Sequence, residues 1–503
     1  MSLKLPIVFT DNMVLQRNKN INIWGYSYNS DNVTIRFNGQ VNRIKVNNNK
    51  WRFVLSSMEA GGPYRMEIID NDDKLVLNNI MIGEVWLAGG QSNMELELQN
   101  SKNGKYVVEN IENDNIRFFN VPRLSYIEDD SSEKIEKNIW EECNSKNVGT
   151  WSAVGYYYAK ELSKKLGVTI GVIGCNFGGT SASAWISKGK LIEDIDTKTY
   201  IDEYDEVNKN RSFEEYIIEL EKYKLWYEEW QKRVDECYKA DPDILWSKVL
   251  EIAGECRWPE PLGPRSPYRP GGLYETMLKR VIPCTIRGFI YYQGESDDHK
   301  PNIYGKLLIK LIEQWRKDWM DDELPFIFVQ LPMFIGREDK DKKNWPIIRE
   351  EQMRVHKIIK NTGIAVIIDC GEFDNIHPLD KESVGYRLSL QALYHVYNKN
   401  ILAYGPIYKE AKYFEDYIEI KFDNIGENLI IIGDKIKGFE VANENKIFTE
   451  ADVKLENNNI IISSKKIKNP KFVRYLWTNY GDVNLFNNYG LPMAPFRTSK
   501  ADS

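Results

Sequence analysis

Along the first 80 residues, apolar and polar positions alternate in short runs: VTIRFNGQ, RIKVNN, WRFVL and YRMEIID, broken by Asn-Gly, Asn-Asn-Asn and Gly-Gly. A period of two between polar turns predicts half-buried antiparallel strands, and several at this spacing predict a small β-sandwich. From residue 80 the alternation gives way to near-continuous apolar runs of strand length: IMIGEVWLAG, VTIGVIGC, TIRGFIYY, PFIFVQLP and GIAVIIDC. Strands covered on both faces look like this, which predicts a parallel sheet. Between them the stretches from Ser152 to Leu166, Tyr304 to Trp319, Trp345 to Lys360 and Lys381 to Tyr397 repeat apolar residues at helical spacing. Alternating strand and helix predicts an α/β sheet covered on both faces.

One stretch interrupts this rhythm. Residues 191 to about 257 are acidic and helical in pattern, with Ser212-x-x-Glu215 as a capping box ahead of Phe213, Tyr216, Leu220, Tyr227, Val234 and Cys237 at helical spacing. A Pro-rich loop, Trp258 to Pro270, brings the chain back, so the segment reads as an insertion. After about residue 400 strand patterns return in YIEIKF, NLIIIG, NIIISS and FVRYLW. The division expected is a β unit over 1–80, an α/β core over 81–190 and 272–400, a helical insertion over 191–271 and a second β unit over 401–503.

Composition narrows the function classes. The 503 residues are 42% hydrophobic and 28% charged, which excludes a disordered chain. With 67 Lys and Arg against 74 Asp and Glu, the net charge of −7 offers no footprint for nucleic acid or anionic lipid. No apolar stretch approaches the roughly 20 residues of a membrane span, so no membrane association is expected. The first ten residues, MSLKLPIVFT, lack the apolar run of a signal peptide, which predicts a cytoplasmic protein unless a leader has been trimmed. Six cysteines without C-x-x-C pairs argue against a zinc ribbon and a disulfide framework. Oligomeric state is not legible.

In open α/β sheets the chemistry sits beyond the carboxyl ends of the strands. Four such loops carry reactive groups here: Gly89-Gly90-Gln91-Ser92-Asn93-Met94, Cys175-Asn176-Phe177-Gly178-Gly179-Thr180, Gln293-Gly294-Glu295-Ser296, and the loop from Gly371 to Pro378 with Glu372, Asp374 and His377. Together they hold the parts of an acyl-transfer site: a serine on a glycine-flanked turn, a Gly-Gly able to aim a backbone N–H, a polar amide and an Asp-x-x-His pair. Taken singly, the serine reads as a helix cap, the glycines as a tight turn and the Asp-x-x-His as a local hydrogen bond. Four such features at one sheet edge are not independent accidents. His299, in Asp297-Asp298-His299, reads as a solvated loop and not a metal site; His356 and His395 lie within helical patterns. Most of the 14 Trp and 29 Tyr read as core, with Trp185 and Trp258 nearest the motif loops.

The stretch Gly83-Glu-Val-Trp-Leu-Ala-Gly-Gly-Gln-Ser-Asn-Met-Glu95 closely resembles the sialate O-acetylesterase family of SGNH (GDSL-like) hydrolases. The resemblance continues in Phe177-Gly-Gly-Thr180, in Tyr291-Tyr-Gln-Gly-Glu-Ser296, and in Ile376-His-Pro378 with Lys381 and Val384-Gly385. Outside the core it takes in Asp11-Asn-Met-Val-Leu-Gln-Arg17, Ile23-Trp-Gly25, Gly490-Leu-Pro492 and Pro495-Phe-Arg-Thr498, leaving only the helical insertion unaccounted for. It implies a flavodoxin-like three-layer α/β/α core with flanking β-sandwich-like units. It also implies a cofactor-free, metal-independent serine esterase acting on a small-molecule or oligosaccharide acetyl ester. Sialic acid is the family's name-giving substrate, with acetylated xylan or another glycan as runner-up. Ser92 is then the nucleophile, His377 the base and Asp374 the acid orienting it, with Glu372 in reserve. Ser92, Gly178 or Gly179, and the Gln293 amide would form the oxyanion hole, supported by Gln91, Asn93 and Glu295. The family's Asn-Asp-Ile-His is here Asp374-Asn375-Ile376-His377, and its Leu-Tyr-Asn is Leu273-Tyr274-Glu275. A non-catalytic carbohydrate-binding protein on a retired hydrolase core is the alternative of another class, opposed by the intact Ser92, Gln293 and His377. A lipase or peptidase lacks the Gly-x-Ser-x-Gly elbow.

Overall fold

A computed structural model describes residues 2–111, 115–127, 139–241, 244, 246–337 and 339–499. Its framework is a mixed α/β fold. Six strands run parallel in the order 116–120, 170–176, 74–90, 288–292, 326–330 and 362–366, with the two-residue strand Glu141–Glu142 antiparallel on the first edge. The five apolar runs of the sequence supply five of these six, and each is buried at nearly every position inside the sheet. The sixth, Ile116–Asn120, is an addition that the sequence pattern did not predict.

Lys74–Gly90 is central in more than position. Its first half pairs antiparallel with Gly61–Ile69, and its second half pairs with Ile170–Asn176 and Gly288–Tyr292. One 17-residue strand therefore runs unbroken through the boundary expected at residue 80. The change of pattern there records a change in burial, from alternating to buried on both faces. Because side chains alternate along a strand, Trp86 and Gly89 face opposite sides. Trp86 meets Tyr158 edge-on at 5.4 Å, and Gly89 lies against the Trp315 ring. Ala153–Leu166 and Tyr304–Asp318 thus cover opposite faces. The helices match the predicted stretches closely; Ser152 caps the first by accepting from Gly155 N.

Where this strand enters the core, a buried ion cluster fixes it. Glu84, fully buried, accepts from Arg17 Nε at 2.6 Å, Arg287 Nε at 2.7 Å and Gln16 Nε2 at 3.0 Å. These partners hold its carboxyl below the usual range although burial alone would raise it.

The segment expected as an insertion forms helices Ile195–Asn208, Phe213–Ala240 and Trp246–Ala253. The Ser212/Glu215 capping box is present in both directions. Trp230, Val234, Cys237, Val249 and Ala253 form its own small apolar cluster. Towards the C-terminus, two four-stranded sheets and a two-stranded one follow, built from strands between Ile407 and Arg497.

Candidate active site

The chain leaves the sheet at the point where strand order reverses. From Lys74–Gly90 the next strands are laid down first on one side (116–120 and 170–176) and then on the other (288–292 onward). Such a switch point opens a crevice beyond the strand ends. Gly90 turns the chain there with φ +142°, and a Cβ at this position would strike the carbonyl oxygen of Tyr292. Only glycine permits both. Gln91 is anchored by its N–H to Tyr292 O at 3.2 Å and accepts from Ser296 N through its side chain, also at 3.2 Å. Ser92 then opens the short helix Ser92–Glu95.

His377 arrives from the other end of the chain, on the loop following Thr362–Val366. Its Nε2 lies 2.9 Å from Ser92 Oγ. Three bonds hold this loop: His377 N donates to Asn375 Oδ1 at 3.0 Å, Asn93 Nδ2 donates to Ile376 O at 2.9 Å, and Leu379 N donates to Glu372 Oε1 at 2.8 Å. The protein packed around the imidazole, and secondarily the charge of Lys381, push its pKa from 6.5 down to about 4. The shift favours the neutral ring, able to accept a proton, near neutral pH.

Behind the pair lies a buried polar chain. Asn93 receives Lys381 Nζ on its oxygen at 2.6 Å and donates to Glu295 Oε1 at 2.6 Å. Burial raises the Glu295 carboxyl and lowers the Lys381 ammonium, since each charge is taken out of water. Asn93 and Glu295, both expected in supporting roles, lie together in this chain, and Lys381, quoted in the sequence only as a motif residue, joins them.

At four residues the structure departs from expectation. Asp374 is not behind His377: it adopts φ +61°, and its carboxylate takes the backbone N–H of Arg337 at 2.8 Å and the Arg337 Nε at 3.0 Å. Glu372, the reserve, is spent on Asn375 Nδ2 and Leu379 N, each at 2.8 Å. Gly178, expected among the oxyanion donors, gives its N–H to Glu95 Oε2 at 2.6 Å. Glu95 sits one turn beyond Ser92, and an acid at that offset was the overlooked signal. Gln293, also expected as a donor, is turned into the interior. Its Nε2 donates to Asp297 Oδ2 at 2.6 Å and to Thr180 O at 3.3 Å, while Tyr304 OH donates to its Oε1 at 3.2 Å. The cause is Asp297, a fully buried carboxylate that needs donors and takes them from Gln293, Ala182 N and Tyr200 OH.

Two donors stay open. The backbone N–H groups of Ser92 and Gly179 have no acceptor among the described residues. Gly179 takes φ +71°, and the indole of Trp258, from the return loop of the 191–271 segment, packs where its Cβ would be. Trp185, the other tryptophan singled out, is fully buried and donates to Thr180 Oγ1 at 3.1 Å. His356 and His395 both bond Tyr404 OH, away from this site. Among the described residues no group of three His, Cys, Asp or Glu side chains is placed to hold a metal ion.

Residues 262–386 match the family model described as a carbohydrate esterase, sialic acid-specific acetylesterase. The sialate O-acetylesterase of Mus musculus is 26% identical over 444 residues, covering 80% of this chain and 76% of that protein. That of Homo sapiens is 25% identical over 437 residues, covering 79% and 72%. The crystal structure of a carbohydrate acetylesterase from Xanthomonas citri matches with a TM-score of 0.79 at 28% identity, over 99% of this chain and 100% of that one. The likeness first carried by Gly83–Glu95 thus extends through the fold, and the chain is similar to the sialate O-acetylesterases over about four-fifths of its length.

Proposed function

We propose that this protein is a serine esterase removing O-acetyl groups from carbohydrates, with O-acetylated sialic acid as its leading substrate. The observation that carries the reading is the 2.9 Å contact of His377 Nε2 with Ser92 Oγ at the switch point of the sheet. The named relatives supply the substrate class. An SGNH-type, flavodoxin-like three-layer core over 81–190 and 272–400, flanked by β units over 1–80 and 401–503, is the architecture this reading implies. The order of the parallel strands and the helices on both faces support it.

In the reaction, His377 takes the proton of Ser92 Oγ as the oxygen bonds to the acetyl carbonyl carbon. The carbonyl oxygen becomes an oxyanion between the N–H groups of Ser92 and Gly179; a preorganised donor of this kind is worth about 3 kcal/mol in the transition state. Collapse breaks the bond to the sugar oxygen, which leaves with the proton held on His377. Water, deprotonated by the same imidazole, then releases acetate from Ser92. The loop bonds of Asn375, Asn93 and Glu372 aim the ring, and Asp374 acts at one remove by tying that loop to Arg337.

Acetate release from mono-O-acetylated sialic acids and acetylated xylo-oligosaccharides, assayed side by side, tests the reading. The expected result is turnover fastest on a sialic acid ester and lost in Ser92→Ala. Faster turnover of the xylan esters would transfer the substrate assignment, and no acetate release from any of them would refute the reading.

A further inference from the structure

The return loop of the helical segment places an aromatic pair beside the reacting atoms. Trp258 lies on Gly179, whose neighbour Gly178 has its Cα-hydrogen face against Ser92: a Cβ there would be 3.5 Å from Ser92 Cβ. Trp258 nevertheless belongs to neither the main apolar core nor the small cluster of the helical segment, and 52% of it is exposed. The ring thus offers an apolar face to solvent beside the crevice. Its position is fixed. The indole N–H donates to Tyr268 OH at 3.2 Å, and the two rings meet edge-on at 5.4 Å and 78°. The loop beneath is pinned in turn by Arg269 on Ser125 O, by Gly271 N on Ser183 O at 2.9 Å and by Tyr216 packed against Gly263.

We infer that Trp258, steadied by Tyr268, is the platform on which the acetyl-bearing pyranose ring stacks, making the helical segment a determinant of substrate choice. The inference rests on the esterase reading above. With the carbonyl oxygen directed at Gly179 N–H, an ester on a ring hydroxyl has only its oxygen between the acetyl carbon and the pyranose, so the ring of such a substrate lies next to the residue that covers Gly179. The C–H face of a pyranose is apolar and flat enough to cover an indole, while its hydroxyls stay in water. Tyr268 contributes orientation: the hydrogen bond it accepts stops the indole from turning about its side-chain bonds.

The experiment compares wild type, Trp258→Ala, Trp258→Phe and Tyr268→Phe on a sialic acid acetylated at its ring hydroxyl O4 and on p-nitrophenyl acetate, which has no sugar. For Trp258→Ala the KM for the sugar ester is expected to rise about tenfold with kcat within about threefold, so that the ratio of kcat/KM between the sugar ester and the aryl ester falls about tenfold. Trp258→Phe should recover part of that ratio, and Tyr268→Phe, losing only the oxygen, should lower it about two- to threefold. Equal losses on both esters would mark Trp258 as a merely structural support and overturn the inference. So would an unchanged KM for the sugar ester in an active Trp258→Ala enzyme. Failure of the esterase reading looks different: wild type itself would release no acetate from the sugar, and the inference would fall with it.

Discussion

Acidification probes how His377 is wired. In the proposed mechanism the ring must be neutral to accept the Ser92 proton, so activity is expected to fall as pH drops through its pKa. Packing of the surrounding protein, and then the charge of Lys381, hold that pKa at about 4 in place of 6.5. The carboxylates of the neighbourhood do not counter them: Glu372 and Asp374 are spent on the loop and on Arg337, and Glu295 faces Asn93. At pH 5 a base of pKa about 4 is about nine-tenths neutral, whereas one of pKa 6.5 is only about one-thirtieth neutral. The structure therefore predicts that kcat/KM at pH 5 keeps most of its plateau value, about thirtyfold more than an ordinary histidine would leave. The assay is acetate release from an O-acetylated sugar between about pH 3 and about pH 8, with tryptophan fluorescence reporting that the fold persists. Lys381→Met, which removes the nearby cation, should move the acid limb upward part of the way, because desolvation by the surrounding protein, the larger cause, remains. An acid limb near 6.5 in wild type would refute the reasoning.

Other consequences follow from the same contacts. Asp374→Asn keeps the loop shape and touches nothing on the imidazole, so kcat should fall less than about tenfold; a loss near 10⁴-fold, the scale of a triad acid, would return Asp374 to His377. Glu84→Gln leaves two half-buried arginines without their shared carboxylate and should cost about 3–5 kcal/mol in urea unfolding, and a loss under about 1 kcal/mol would show the cluster to be dispensable. In the proposed mechanism Ser92 and His377 supply nucleophile and base between them, so prolonged EDTA treatment followed by dialysis should leave turnover unchanged; recovery of a lost activity by added zinc would contradict this.

The parallel strands could be read from sequence because burial on both faces leaves no alternative to continuous apolar runs, and the loops after them held the reactive groups for the same topological reason. Ile116–Asn120 escaped notice because five residues next to the sheet's edge, one of them Arg117, give too little apolar pattern. The unbroken strand Lys74–Gly90 escaped because a strand that changes from one covered face to two changes pattern without changing direction. At the site, the Ser92–His377 pairing was legible, but the fate of the acceptors was not. Spacing allows Asp374 to fold back on His377; the left-handed turn and Arg337, 37 residues away in sequence, claim it first. Likewise Glu95 claims Gly178 and Asp297 claims Gln293, competitions that only three-dimensional packing decides.

The central claim is that Ser92, activated by His377, attacks the ester. A fluorophosphonate reacts with such a serine and leaves a stable adduct whose position peptide mass spectrometry reads directly. The structure predicts one adduct, on the peptide carrying Ser92, forming in step with loss of acetate release and failing to form at a comparable rate in folded His377→Ala. An adduct on another residue, or full labelling of Ser92 in the His377→Ala protein, would contradict the account.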